Sequence, residues 1–166
     1  IELKKVSGYF KKKNKIKNKI INIHNMLIND FKIKNPKMIM SGINPHSGEK
    51  GVISKDEIKY LKPVINYLNK IKVDIKGPIS GDSIINRNNL KKNDAFIFTF
   101  HDQALIPFKM LSNFNGVNFT SNLNIIRVSP SHGTGIDIVN NKKISSLGIN
   151  NCFKLISKIH KNRKLS

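Results

Sequence analysis

Phe100-His101-Asp102-Gln103-Ala104-Leu105-Ile106-Pro107 follows an apolar run, Asp94 to Phe100, that predicts a buried strand. His101 and Asp102 are thereby delivered at a strand's C-terminal end, where open α/β sheets build their sites. The pattern occurs earlier too. Met38-Ile39-Met40-Ser41-Gly42-Ile43 predicts a strand that runs into Asn44-Pro45-His46-Ser47-Gly48-Glu49. It returns where Asn124 to Ser129 predicts a strand before Pro130-Ser131-His132-Gly133-Thr134-Gly135-Ile136-Asp137. Three strand-like runs, each ending in a polar loop with a histidine, point to one shared site.

Outward from these runs the chain alternates with helical patterns. Ile16, Ile20, Leu27 and Phe31 keep near helical spacing and predict an amphipathic helix from about Lys13 to Phe31, with His24 as a structural residue beside its apolar face. Ser54-Lys55-Asp56-Glu57 has capping-box spacing and predicts a helix from there to about Ile71, bent at Pro63. Gly77-Pro78 marks a turn, Ser80 to Ser83 a polar loop, and Ile84 to Leu90 a short helix. A second short helix is expected over Gln103 to Leu111, strands over Val117 to Phe119 and Ile125 to Val128, and a closing helix over Leu147 to Ile159. His160 then falls in a solvated basic tail. Alternating strands and helices argue for an α/β fold, layered α/β/α, with a largely parallel sheet.

The chain has 166 residues, a formal charge of +20, and one cysteine, Cys152. A single cysteine excludes an internal disulfide and any cysteine-based zinc cluster, so metal binding would rest on histidine and carboxylate. No run approaches the roughly 18 apolar residues of a membrane span, and no signal-peptide pattern is present, so a cytoplasmic location is expected. The charge comes mainly from lysines scattered among Ile and Asn, with arginine only at 87, 127 and 163. All three abundant residue types have A/T-rich codons, which accounts for the charge without a nucleic-acid partner, and no recognition module is present. A basic nucleic-acid-binding protein is the rival class. It predicts steeply salt-dependent binding indifferent to His46 and His101.

His46 and His101, each just beyond a strand, are candidate metal ligands, because neutral imidazole is the commonest such ligand. The competing reading is that they hydrogen-bond their loops. Lys109, Asn118 and Arg127 supply two cations and an amide suited to a phosphate or carboxylate. Arg127 interrupts the apolar run Ile125-Ile126-Arg127-Val128, and a buried unpaired arginine is expensive, so it should meet either a ligand's anion or an internal Asp or Glu. His132 to Asp137 combines glycines with a carboxylate able to accept from ribose hydroxyls, although the Gly-x-Gly-x-x-Gly fingerprint is absent.

Taken together, Gly42 to Glu49, Gly77-Pro78 with Asp82, His101-Asp102-Gln103 through Lys109, Gly116 to Thr120, Ile126-Arg127 and His132-Gly133-Thr134 closely resemble the 4-hydroxythreonine-4-phosphate dehydrogenase family of pyridoxal phosphate biosynthesis. The likeness covers nearly the whole chain. It implies an isocitrate/isopropylmalate dehydrogenase-like fold and a homodimer with its site at the subunit interface. It also implies NAD or NADP as cofactor, and a divalent metal (zinc, magnesium, manganese or cobalt). The implied reaction oxidises 4-phosphooxy-L-threonine to a 3-oxo acid, which decarboxylates to 3-amino-2-oxopropyl phosphate.

By the resemblance, His46 and His101 correspond to two of three metal ligands, and Lys109, Asn118 and Arg127 to substrate-binding residues. His132, Gly133, Thr134 and Asp137 correspond to cofactor contacts. The reaction also needs a general base, for which Asp102 and Asp82 are the candidates. The family's third ligand and preceding half fall before Ile1, so residues 1–166 are expected to be the C-terminal portion of such a chain, inactive by themselves. A dehydrogenase of another phosphorylated hydroxy acid is the nearest alternative. The chain departs from the family pattern at Ser131, at Thr120-Ser121-Asn122-Leu123-Asn124, and at Lys50-Gly51-Val52-Ile53.

Overall fold

The structure, a computed structural model, describes residues 2–131 and 145–164. A short helix α1 (Val6–Phe10) precedes α2 (Lys13–Asn29), whose Ile16, Ile20 and Leu27 are buried as their spacing predicts. Strand β1 (Met38–Ser41) is buried along its whole length, as expected of a strand covered on both faces. It lies at the centre of a parallel sheet of order β2-β1-β3, between β2 (Ile75–Ile79) and β3 (Ala95–Ile97). Met38 and Met40 join Ile20, Leu68 and Ile75 in one apolar cluster with α2 and α3 (Lys62–Lys70). Ile39 lies outside that cluster and is nonetheless 1% exposed, so the sheet is covered on its other face as well.

Three expectations need correcting here. The helix expected from Ser54 begins instead as a π-helical turn, Glu57–Leu61, that passes into α3. Pro63 has no N–H for a partner one turn back, and the widened turn absorbs the missing bond. Gly77-Pro78 is no turn: it lies inside β2, an edge strand where a proline costs no ladder bond on its solvent side, and its peptide bond is cis. The strand expected to reach Phe100 ends at Ile97, after which the chain turns into α5 (His101–Ser112).

Helix α4 (Arg87–Lys92) begins at Asn86, whose side-chain oxygen accepts from Asn89 N at 2.9 Å. After α5, β4 (Val117–Thr120) and β5 (Arg127–Pro130) form a separate antiparallel pair. Helix α6 (Leu147–Lys164) takes in most of the expected basic tail, including an exposed His160, and packs on β4 and β5. No described helix is long and apolar enough to cross a membrane.

Burial is uneven along the chain. Among the described residues between Ile85 and Leu147, only Gly116 is buried, and α5 contributes no buried residue. Ile106, Met110 and Leu111 on that helix are 61%, 80% and 60% exposed.

Candidate active site

The C-terminal ends of β1 and β3 open onto a cleft of about 720 Å³ lined by Asn44, His46, Asp82, Phe100, Asp102 and Gln103. Its floor is a polar network. Thr99 N donates to Ser41 Oγ at 3.1 Å, and the Ser41 hydroxyl lies 3.0 Å from Gln103 Oε1. Thr99 Oγ1 lies 2.7 Å from Gly42 O and 3.0 Å from Gln103 Oε1, tying both strand ends to the first turn of α5.

One wall is the Pro45–Gly51 turn. His46, Ser47, Gly48, Glu49 and Lys50 have φ of 50°, 53°, 74°, 45° and 55°, a left-handed run that costs about 1–2 kcal/mol for each non-glycine residue. Three anchors hold it. Ser47 N donates to Asn44 O at 3.0 Å, and Ser47 Oγ donates to Pro78 O at 3.1 Å. The third is Glu57, 1% exposed, whose Oε1 accepts from Ile43 N at 2.9 Å and from Asn44 N at 2.6 Å. Asn44 Nδ2 adds contacts of 3.3 and 3.2 Å to its two oxygens.

The expected capping box is therefore not formed as such. Ser54 Oγ does accept from Asp56 N at 3.1 Å, but the Glu57 carboxylate reaches a different loop. Sequence reasoning missed this role. The signal lay in the spacing Glu57, Leu61, Val64, Ile65, Leu68, which puts an acid on the apolar face of the helix it precedes.

Across the cleft Ser80 Oγ donates to Asp82 Oδ1, and this bond, with nearby His46 adding to it, holds the Asp82 carboxyl below the usual carboxylate range. His101 Nδ1 lies 2.8 Å from Asp102 Oδ1, an arrangement that orients the imidazole through its carboxylate neighbour. His46 and His101 are both exposed. His101 opens toward a second, apolar cavity of about 800 Å³ bounded by Tyr9, Phe10, Ile20, Ile97 and Phe100, which shares Phe100 and Asp102 with the first.

The remaining expected residues are not gathered in this cleft. Asn118 is exposed and lines a neighbouring apolar cleft with Phe96, Phe98, Leu105 and Phe108. Lys109 is exposed on α5. Arg127 is exposed, not buried, and its Nη1 donates to Thr120 Oγ1 at 3.0 Å, opposite it on the β4–β5 ladder. The ladder turns its side chain to solvent, so no internal acid is needed. His132, Gly133, Thr134 and Asp137 lie outside the described residues.

For a divalent ion the donor set is incomplete. Among the described residues no group of three His, Cys, Asp or Glu side chains is placed to hold a metal. These residues do not by themselves make a metal site.

The model of the family described as "Pyridoxal phosphate biosynthetic protein PdxA" matches residues 1–156. A 4-hydroxythreonine-4-phosphate dehydrogenase of Wigglesworthia glossinidia brevipalpis is 42% identical over 142 residues, covering 86% of this chain and 43% of its own. Crystal structures of 4-hydroxythreonine-4-phosphate dehydrogenases are similar in fold. That from Klebsiella pneumoniae has a TM-score of 0.72 at 27% identity, over 91% of this chain and 45% of its own. That from Burkholderia phymatum has a TM-score of 0.73 at 26% identity, over 96% and 47%. The chain thus spans less than half the length of these relatives.

Proposed function

Because the chain belongs to the PdxA family of pyridoxal phosphate biosynthesis, we propose that it supplies part of the active site of an NAD(P)-linked dehydrogenase acting on 4-phosphooxy-L-threonine. The observation that carries this is the family match over residues 1–156, together with a cleft at the ends of two parallel strands where His46, Asp82, Asp102 and Gln103 converge. In this reading residues 1–166 are the C-terminal portion of the enzyme, which works as a cytoplasmic homodimer.

The reaction needs three things from the protein: a grip on the substrate's anionic groups, a proton acceptor at the alcohol, and a nicotinamide facing the carbon that loses hydride. Lys109, Asn118 and Arg127 are assigned to the first task, two cations and an amide, all exposed and available to a ligand. The acceptor is one of the two rim carboxylates, Asp82 or Asp102. The bond from Ser80 lowers the Asp82 pKa, and one Asp102 oxygen is occupied by His101. His132, Gly133, Thr134 and Asp137 are assigned to the cofactor. Hydride passes from the alcohol carbon to NAD(P)+, the hydroxyl proton to the carboxylate, and the 3-oxo acid so formed loses CO2 to give 3-amino-2-oxopropyl phosphate. His46 and His101 are assigned as this chain's share of a divalent-metal site whose other donors lie beyond the described residues.

The test is turnover by the full-length polypeptide with 4-phosphooxy-L-threonine and either NAD+ or NADP+, following reduced nicotinamide and released CO2 together. Both products in equal amounts are expected. Absence of reduced nicotinamide, or faster turnover on another phosphorylated hydroxy acid, would overturn the assignment.

A further inference from the structure

We propose that Glu57 is a positioning residue for the cleft, fixing the Asn44–Ser47 backbone so that His46 is held opposite Asp82, a role that rests on the dehydrogenase reading above. Glu57 is 1% exposed, and among the described residues no cation lies within ion-pairing distance of it. Its charge is met by N–H groups instead: Ile43 N, Asn44 N and the Asn44 side-chain amide. A buried carboxylate is costly unless its bonds are made, and here they all go to one loop. The two backbone donors stand immediately before Pro45 and His46, where the left-handed run begins.

Gly48 supplies the reciprocal constraint. Its φ is +74°, and a Cβ there would come within 2.5 Å of Glu57 Oε2 and of Ser54 O. The loop's tightest residue is therefore moulded around the carboxylate, so the glycine and the acid act as one fitting. The π-helical turn that starts at Glu57 places its backbone directly on α3, whose Val64, Ile65 and Leu68 are buried in the core. Through Glu57 the core helix is joined to the His46 loop by hydrogen bonds that add to the packing of Ile43 in the apolar cluster.

Displacing a reacting group by about 1 Å can cost on the order of 100-fold in rate. The experiment compares Glu57→Met, Glu57→Gln and Gly48→Ala in the full-length enzyme by two readouts. The first is amide hydrogen exchange. Ile43 and Asn44 should exchange at least about 100-fold faster in Glu57→Met and in Gly48→Ala, while Met38–Ser41 and Val64–Leu68 keep their protection. The second is kinetic: kcat should fall about 100-fold in both variants with KM changed less than about 5-fold, and Glu57→Gln should recover most of it because its amide oxygen still accepts from both backbone donors.

Unchanged exchange at Ile43 and Asn44, unchanged kcat in a folded Glu57→Met, or a Glu57→Gln as impaired as Glu57→Met would each overturn the proposal. Gly48→Ala decides the matter if Glu57→Met does not fold, since it displaces the carboxylate without deleting it. A wild-type enzyme with no turnover would end the dehydrogenase reading, while the exchange measurement would still decide whether Glu57 holds the loop.

Discussion

Arg163 and Asp30 stand 133 residues apart in sequence and meet as a forked ion pair, Nε to Oδ1 at 2.7 Å and Nη2 to Oδ2 at 3.0 Å. The Asp30 hydrogen bonds, more than its charge, raise the guanidinium's already high pKa, so the cation persists at any ordinary pH. Arg163 Nη1 also donates to Leu123 O at 3.2 Å, and the neighbouring Asn162 Nδ2 donates to Asp30 O at 2.6 Å. The last turn of α6 is thereby fastened to the end of α2.

Removing the arginine leaves a carboxylate of 5% exposure without its cation. Arg163→Ala should lower stability by about 2–4 kcal/mol, seen as an earlier urea midpoint at unchanged slope. Arg163→Lys should recover only part, since an ammonium cannot make the fork. A midpoint equal to wild type in Arg163→Ala would show that the pair contributes nothing.

Gly77→Ala should destabilise the sheet at its centre. Gly77 has φ +138°, and a Cβ there would lie 2.5 Å from Met40 O on β1. The expected loss exceeds about 1 kcal/mol and lowers Tm by several degrees. An unchanged Tm would mean that β2 can shift without disturbing β1.

The Ser80 hydroxyl, and after it a backbone hydrogen bond, hold the Asp82 carboxyl below its ordinary value. A depressed folded-state pKa means that the ionised form's contribution is complete above the ordinary carboxylate value, about 3.9, and is lost as pH falls through the lower folded value. Ser80→Ala should therefore move the Asp82 titration upward, read from its carboxyl carbon by NMR. Coincident titration curves for variant and wild type would remove Ser80 as the cause.

His101→Ala in the full-length enzyme should abolish turnover and reduce bound divalent metal measured by elemental analysis. Asp102→Asn should weaken metal binding by about 10- to 100-fold, because the Nδ1 partner that orients the ring is changed. Full metal occupancy in His101→Ala would take His101 out of the ligand set.

The polypeptide of residues 1–166 alone should form no reduced nicotinamide from 4-phosphooxy-L-threonine, since it spans less than half the length of the dehydrogenases it resembles. Appreciable turnover by it would show that the remaining length of the relatives is dispensable.

Local periodicity made α2, β1 and α6 legible, because each sets its own apolar residues at a spacing that one element satisfies. The delivery of His46 and His101 at strand ends was legible for the same reason. Arg127 was misjudged because alternation along a short strand does not say which face is wet: β4–β5 stands apart from the parallel sheet and leaves that side chain exposed. Glu57 was misjudged because Ser54 and Glu57 satisfy a local rule, while the donors that claim the carboxylate, Ile43 and Asn44, lie in a loop fixed only by the fold. Long-range partners of a buried acid are invisible to any window of neighbours, although its place on an apolar face is not.

The scarcity of buried side chains among the described residues between Ile85 and Leu147 divides the described structure energetically. The α2, β1, α3 and β2 side holds nearly all of the apolar core, whereas α5 and the β4–β5 pair have little to lose by opening. In the polypeptide of residues 1–166 by itself, warming should therefore release the second region first, in sub-global openings of low free energy, and proteases should find their earliest cuts there while the first region still resists. Of the residues lining the cleft, Asp102 and Gln103 belong to the looser region, and Asn44 and His46 to the firmer one. The two halves of the cleft would then differ in lifetime, and capturing a ligand between them would gain its ordering from the looser side.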